Sequence, residues 1–477
     1  MPRARAYNMS PTVRSKKMPV LTLFEASSRA GLAQRNMVRI GRMSNSIPLT
    51  RRREFLAGFG AMAIASALPA HPAIGRRTPL LQAGVGSIRL RQDAPETPVW
   101  AFAAPNLRFE RADEQEIAFE NGLPIPAVLN WRGIPGARAA EPLLSQTAVA
   151  PNGSGTLEIP LRHAGTFVCD VRLLGDGAAR PSRPLPLVVA ESEPVAVDRD
   201  EFFLVEDWRL RPDGTAIAPG GETKDTELAY TVNGVKSPDF IARTNERLRF
   251  RFINGCQRSV IGLKLEGQEV RVMALDGYPA EPFLARNGAF AVPPGGRVDA
   301  FVDVASQPGS ISPILLHDGK QARPVARLIT SNDPPAHDKP LPSAPPLPQN
   351  GTSPMLELKN ASRFDLIVGG PPSDWIAPTK FAASAPPAFR AKAGRTVVLA
   401  LTNRAEMTTV FNLHGHHFRL LDRLDDGWKP FWLDSLAIDP GQTQRIAFAA
   451  EFAGRWLIES VATDWTAPRL LKWYSVE

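Results

Sequence analysis

Arg247-Leu248-Arg249-Phe250-Arg251-Phe252-Ile253-Asn254 is a short run rich in branched and aromatic residues that stops at an Asn254-Gly255 turn, and Gly165-Thr166-Phe167-Val168-Cys169-Asp170-Val171-Arg172-Leu173 is a second of the same kind. Such side chains pack well on a pleated surface, whereas Gly, Pro, Asn and Asp favour turns. From about Gly84 onward the chain repeats this arrangement with no long stretch of helical periodicity. Its 46 prolines suit loops and edge strands. The expected class is all-β, as tandem β-sandwiches.

At 477 residues the chain is too long for a single core. Three sandwich-sized blocks can be drawn. The first covers about 84–192, ending at the strand over 183–191. The second, about 193–333, opens on Glu201-Phe202-Phe203-Leu204-Val205-Glu206-Asp207-Trp208. A linker over 334–350, with Pro334-Pro335, Pro340, Pro342, Pro345-Pro346 and Pro348, should be extended and semi-rigid, and the third block covers 351–477.

The formal charge of +8 would suit nucleic acid or an acidic membrane surface if it were spread over the folded part. It is not: residues 1–67 hold twelve Lys/Arg against two Asp/Glu, which leaves 44 basic and 46 acidic residues in the remainder. That near-balance excludes a nucleic-acid partner on the charge-distribution test. The imbalance centres on Arg51-Arg52-Arg53-Glu54-Phe55-Leu56, followed by an apolar Gly/Ala-rich run from Ala57 to Ala70. The run is too short to span a bilayer, and Ala65-Ser66-Ala67 offers a peptidase an A-x-A site. Arg52-Arg53-x-Phe55-Leu56 resembles the twin-arginine motif, with an ordinary basic leader for the general secretory route as the alternative. Either reading makes the mature chain periplasmic, without a transmembrane segment. Met43 would then be a conventional start. Cys169 and Cys256 fall in different blocks and are expected as two buried thiols rather than a disulfide.

Several segments resemble the multicopper oxidase family. In the second block these are Glu206-Asp207-Trp208, Thr231-Val232-Asn233-Gly234, Ala274-Leu275-Asp276-Gly277 and Val292-Pro293-Pro294-Gly295-Gly296-Arg297-Val298-Asp299. In the third they are Leu413-His414-Gly415-His416 and Asp439-Pro440-Gly441-Gln442-Thr443 with Gly454-Arg455-Trp456. The resemblance covers 84–477 and implies three tandem cupredoxin-like Greek-key β-sandwich domains, which in the family carry a mononuclear blue copper and a trinuclear copper cluster between the first and last domains.

The family's copper set requires His-x-His twice, His-x-x-His-x-His and His-Cys-His-x-x-x-His, because imidazole and thiolate donors must converge in fixed geometry. On a strand, residues i and i+2 project from one face, which is why paired ligands alternate. Where the family has His-Trp-His-Gly, this chain reads Asn130-Trp131-Arg132-Gly133, and the second pair aligns with Asp170 and Arg172. The third motif aligns with Thr409, Asn412 and His414. Glu459-Ser460-Val461 stands for His-Cys-His, Trp465 for the last histidine and Leu470 for the weak axial ligand. Of the ten ligand histidines, His414 alone is kept.

The replacements suggest a vestigial site in which Asn130, Arg132, Asp170, Arg172, Asn412, His414 and Glu459 form a hydrogen-bonded ion cluster, Asp170 and Glu459 partnering the two guanidinium groups. The expected function is an exported family member without copper or oxidase activity, acting as a binding or structural component for an undefined periplasmic protein or small molecule. The alternative is a copper-dependent oxidoreductase with an unconventional site at His414 and His416, on one strand face, completed by Glu459 or Asp464. Glycine-rich phosphate loops, G-x-S-x-G turns and H-E-x-x-H helices are absent.

Overall fold

The computed structural model describes residues 78–176, 178, 180–351, 354–370, 374–422 and 427–477. The segment expected to be an export signal, and Met43, lie outside the described residues. Six sheets pack as three two-sheet sandwiches.

The three sandwiches share a wiring. In each, an early strand pairs in parallel with a later one in the first sheet: Leu80–Ile88 with Ala112–Asn121, Arg199–Leu210 with Arg247–Asn254, and Ser362–Gly369 with Thr396–Asn403. In each second sheet a strand from the middle of the block runs parallel to the last one: Leu107–Phe109 to Leu185–Val189, Asp239–Ala242 to Ala322–Thr330, and Arg390–Ala391 to Arg469–Val476. Each core draws apolar residues from both sheets, such as Phe119 and Phe167 in the first, Phe252 and Ile314 in the second, and Phe411 and Phe448 in the third.

The strand Arg247–Asn254 is buried along its whole length. Alternation explains how a strand with three arginines can be so. Leu248, Phe250 and Phe252 enter the middle core, while the arginines on the other face all find carboxylates. Arg247 is bidentate to Asp303, Arg249 contacts Glu191 and Asp299, and Arg251 is bidentate to Asp200 and donates to Thr166 of the first sandwich. Charge-assisted pairs of this kind make the burial tolerable.

The proline-rich segment is pinned rather than free. Ala344 and Leu347 pack against Met273, Ala274 and Phe301 of the middle sandwich, and Asn350 exchanges two 2.8 Å hydrogen bonds with the backbone of Ala164. Both cysteines are buried free thiols in separate cores.

The seams are tight enough to require glycine. Gly133 has φ of +85°, and a Cβ there would fall on the Arg297 guanidinium and 2.8 Å from Asp434 Oδ2. Gly84, on an open stretch of strand, has nothing within 4 Å of such a Cβ. Gly133→Ala should therefore lower the melting temperature by several degrees, through about 1–3 kcal/mol of backbone strain plus displacement of Arg297. Gly84→Ala should leave it nearly unchanged, and equal melting curves for the two variants would contradict the packing described.

Candidate functional site

Four strands converge between the first and last sandwiches. Asn130–Arg132 pairs antiparallel with Gly165–Asp170, placing Asn130 opposite Asp170, and Thr409–Leu413 pairs with Gly454–Ala462, placing Asn412 opposite Glu459. The two strand pairs bring their ends together on one carboxylate, Glu459, which is fully buried.

All four lone-pair directions of that carboxylate are used. Oε1 accepts from Asn130 Nδ2 and pairs with His414 Nε2, both at 2.9 Å. Oε2 accepts from Arg132 Nη2 at 2.9 Å and from Arg469 Nη1. A carboxylate offers about four acceptor positions, so nothing is left for a metal. Burial alone would raise the Glu459 pKa, but Arg132, Arg469 and His414 outweigh it and hold the group well below the usual carboxylate range.

Asp170 is the second anion. Its Oδ2 accepts from Arg132 Nε at 3.2 Å and Arg172 Nη2 at 3.1 Å, and its Oδ1 accepts the Arg172 backbone N–H at 3.0 Å. Despite full burial, Arg172 and Arg132 keep its pKa below normal. The backbone bond turns the chain, so the strand expected over Gly165–Leu173 stops at Asp170, and Arg172–Gly175 forms a single helical turn. Arg172 reaches the cluster from that turn, not as the strand partner of Asp170. Its Nη1 donates to Gly255 O at 3.0 Å, so the Asn254-Gly255-Cys256 turn of the middle sandwich borders this region. Cys256 itself faces the middle core.

His414 lies between two carboxylates. Nε2 meets Glu459, and Nδ1 stands 2.9 Å from Glu141 Oε1, a charge contact outside hydrogen-bond alignment. Burial disfavours its charge, yet Glu141 and Glu459 push its pKa up to about 9. As an imidazolium it has no lone pair for a metal.

His416 does not share the face of His414. The strand ends at Leu413 and Gly415 takes φ of +76°, which breaks the alternation. Tyr474 donates its hydroxyl proton to His414 O, so the 2.7 Å contact from His416 Nδ1 to that hydroxyl has the imidazole as donor. Nε2 then accepts the Phe452 N–H at 3.1 Å. Both nitrogens are spent inside the last core, and burial lowers the His416 pKa to about 3. His417 turns to the middle sandwich, where Nε2 bonds to Asp276 O at 2.9 Å, and burial lowers its pKa to about 4. Asp464, the other expected supplement, is held in its own turn by Thr466. A two-imidazole site at His414 and His416 is therefore not assembled.

Asn412 is buried next to the cluster. The positions aligned with the blue-copper ligands are equally occupied. Thr409 Oγ1 donates to Asn403, Ser460 Oγ to Val368 O, and Trp465 Nε1 to Ala218 O at 2.9 Å, while Leu470 packs on the last core. No thiolate or free imidazole stands among them. Among the described residues, no group of three His, Cys, Asp or Glu has an arrangement suited to a metal ion. The donor set does not fit copper: cationic Arg132, Arg172, Arg469 and His414 crowd the carboxylates that could have served. Arg469 and Glu141 complete the cluster, and neither carries a sequence signal. Arg469 comes within reach only through the pairing of Gly454–Ala462 with Arg469–Val476, and Glu141 sits in a short turn.

Profiles described as multicopper oxidase match residues 195–311 and 356–472. The chain belongs to the multicopper oxidase family. It is 25% identical over 406 residues to the multicopper oxidase MmcO of Mycobacterium tuberculosis, spanning 74% of this chain and 77% of that protein. In fold it is similar to the multi-copper oxidase from Pseudomonas thermotolerans, with a TM-score of 0.71 and 24% identity over 83% of this chain and 98% of the other. Lac15 from a marine microbial metagenome gives 0.68 and 24%, over 83% and 100%. The three sandwiches are cupredoxin-like, as the sequence resemblance implied.

Glu459→Gln keeps shape and removes charge, leaving buried cations short of a partner. It should cost about 3–5 kcal/mol in denaturant melts, and a loss below about 1 kcal/mol would contradict the network's role. The histidines set a pH optimum. The charged form of His414 contributes stability that is complete below its unfolded pKa near 6.5 and lost as pH rises through about 9. His416 and His417, kept neutral, cost stability as pH falls below about 6.5, where the unfolded chain takes up protons that the folded rings refuse. Melting temperature should therefore peak near neutrality, and His414→Gln should flatten the alkaline arm, worth on the order of 3 kcal/mol at about 1.4 kcal/mol per pKa unit. An unchanged alkaline arm in that variant would exclude the assignment.

Proposed function

We propose that this family member has exchanged copper chemistry for an interdomain charge network and works without oxidase activity, as a binding or structural component exported to the periplasm. The observation that carries this reading is the saturated carboxylate of Glu459, gripped by Asn130, Arg132, Arg469 and His414 where the aligned motifs of the family hold metal. The absence of a sulfur donor at Ser460 removes the thiolate that blue copper needs. Export rests on the Arg52-Arg53-x-Phe55-Leu56 pattern and the apolar run after it, with the twin-arginine route as the proposed path. In the described residues no helix is long and apolar enough to cross a membrane.

The names of the relatives favour a second reading, a copper-dependent oxidoreductase centred on His414 and His416. The imidazolium state of His414 and the spent nitrogens of His416 argue against it. Protein matured in a copper-replete periplasm separates the two. The expected result is a folded chain with far less than one copper per molecule by mass spectrometry and no oxygen uptake with phenols or reduced metal ions. Stoichiometric copper with turnover that disappears in His414→Ala would establish the oxidase instead.

A further inference from the structure

The seam between the middle and last sandwiches contains a cavity of about 60 Å³ that none of the charge pairs fills. Its walls are Leu275, Val292, Leu420, Phe431, Leu433 and Leu436. Two outermost strands, Ala289–Val292 and Ser435–Ile438, border it from either side, each the last strand of its own sheet. Phe431 crosses the seam into the middle core, and Leu433 packs against both cores. The two sheet edges are thus propped apart beside a hydrophobic strut.

We propose that this cavity is a binding site for a very small uncharged apolar guest, on the scale of a xenon atom or a hydrocarbon of two or three carbons. Size sets the limit: the space is several times what a single water requires but less than half of the roughly 150 Å³ at which a cavity admits benzene. Chemistry decides it. The polar residues that reach the cavity are Asp276, Arg297, Ser435 and, at its rim, Lys429, and each is already engaged.

Asp276 Oδ1 accepts the Arg297 N–H at 2.9 Å, and its Oδ2 accepts from the Asp434 and Ser435 backbone at 3.0 and 3.3 Å and from Ser435 Oγ at 3.2 Å. Arg297 is bidentate to Asp434 and donates to Gly295 O and Asp276 O. Lys429 Nζ pairs with Asp422 at 3.0 Å. A polar guest or a cluster of waters would surrender hydrogen bonds without replacement, whereas an apolar guest gains contacts. The site stands whether or not copper binds elsewhere.

Xenon followed by ¹²⁹Xe NMR tests it on the purified chain. Saturable binding is expected, displaced by cyclopropane but not by acetate, and weakened at least tenfold by Ala437→Leu or Ala291→Leu, which fill the cavity. Non-saturable binding, equal competition by acetate, or unchanged affinity in variants that keep the wild-type melting curve would overturn the proposal. If those variants do not fold, xenon-pressurised wild-type crystals decide: xenon in this cavity supports the site, and its absence there refutes it.

Discussion

The carboxylate of Glu459 is the constraint on which the rest of the arrangement turns. It is the atom group shared by the first and last sandwiches, since Asn130 and Arg132 come from one and His414 and Arg469 from the other. A buried ion pair is weak evidence for stability in itself, because desolvation cancels much of the attraction, but breaking such a pair is expensive. Its effect is geometric: any shift of one sandwich against the other strands a charge. The network therefore fixes register between two domains far apart in sequence.

The same solution recurs at the other seams. Arg251 ties the middle sandwich to Thr166 of the first, Arg297 ties it to Asp434 of the last, and Arg258 reaches both Asp176 and the backbone of Ala467. Each joint is made of a guanidinium, whose planar fork satisfies two acceptors at once and stays charged. Glycines allow the close approach; a Cβ on Gly165 would fall on the Gly277 backbone, as one on Gly133 would fall on Arg297. Three sandwiches so joined have little room to rock. The apolar gap at one seam is the exception, left where two sheet edges meet without enough side-chain volume to close it.

Much of this was legible in the residues. Branched and aromatic runs bounded by turn formers gave the all-β class, and motif residues such as Val292–Asp299 carried the family resemblance. Asp170 and Glu459 could be paired with Arg132 in advance because buried guanidinium groups need carboxylates. What escaped was set by tertiary placement. Arg469 reaches Glu459 through strand pairing, and Glu141 reaches His414 from an aperiodic turn. The strand after Gly165 stops three residues short of the end of the apolar run, since the Asp170 side chain caps a turn that periodicity does not register. His416 leaves the face that strand alternation would give it because the strand ends at Leu413 and Gly415 turns the backbone left-handed. The Asn254-Gly255 turn belongs to another domain in sequence, so its approach to Arg172 had no local signal.

The most direct measurement is an anomalous-difference map collected at the copper edge, from crystals of protein produced with copper in excess. Continuous density linking Arg132, Glu459, Arg469 and His414, with no anomalous peak among them, is the predicted result. A copper peak beside His414, with Arg132 swung away from Glu459, would contradict the replacement of the metal site by a charge network.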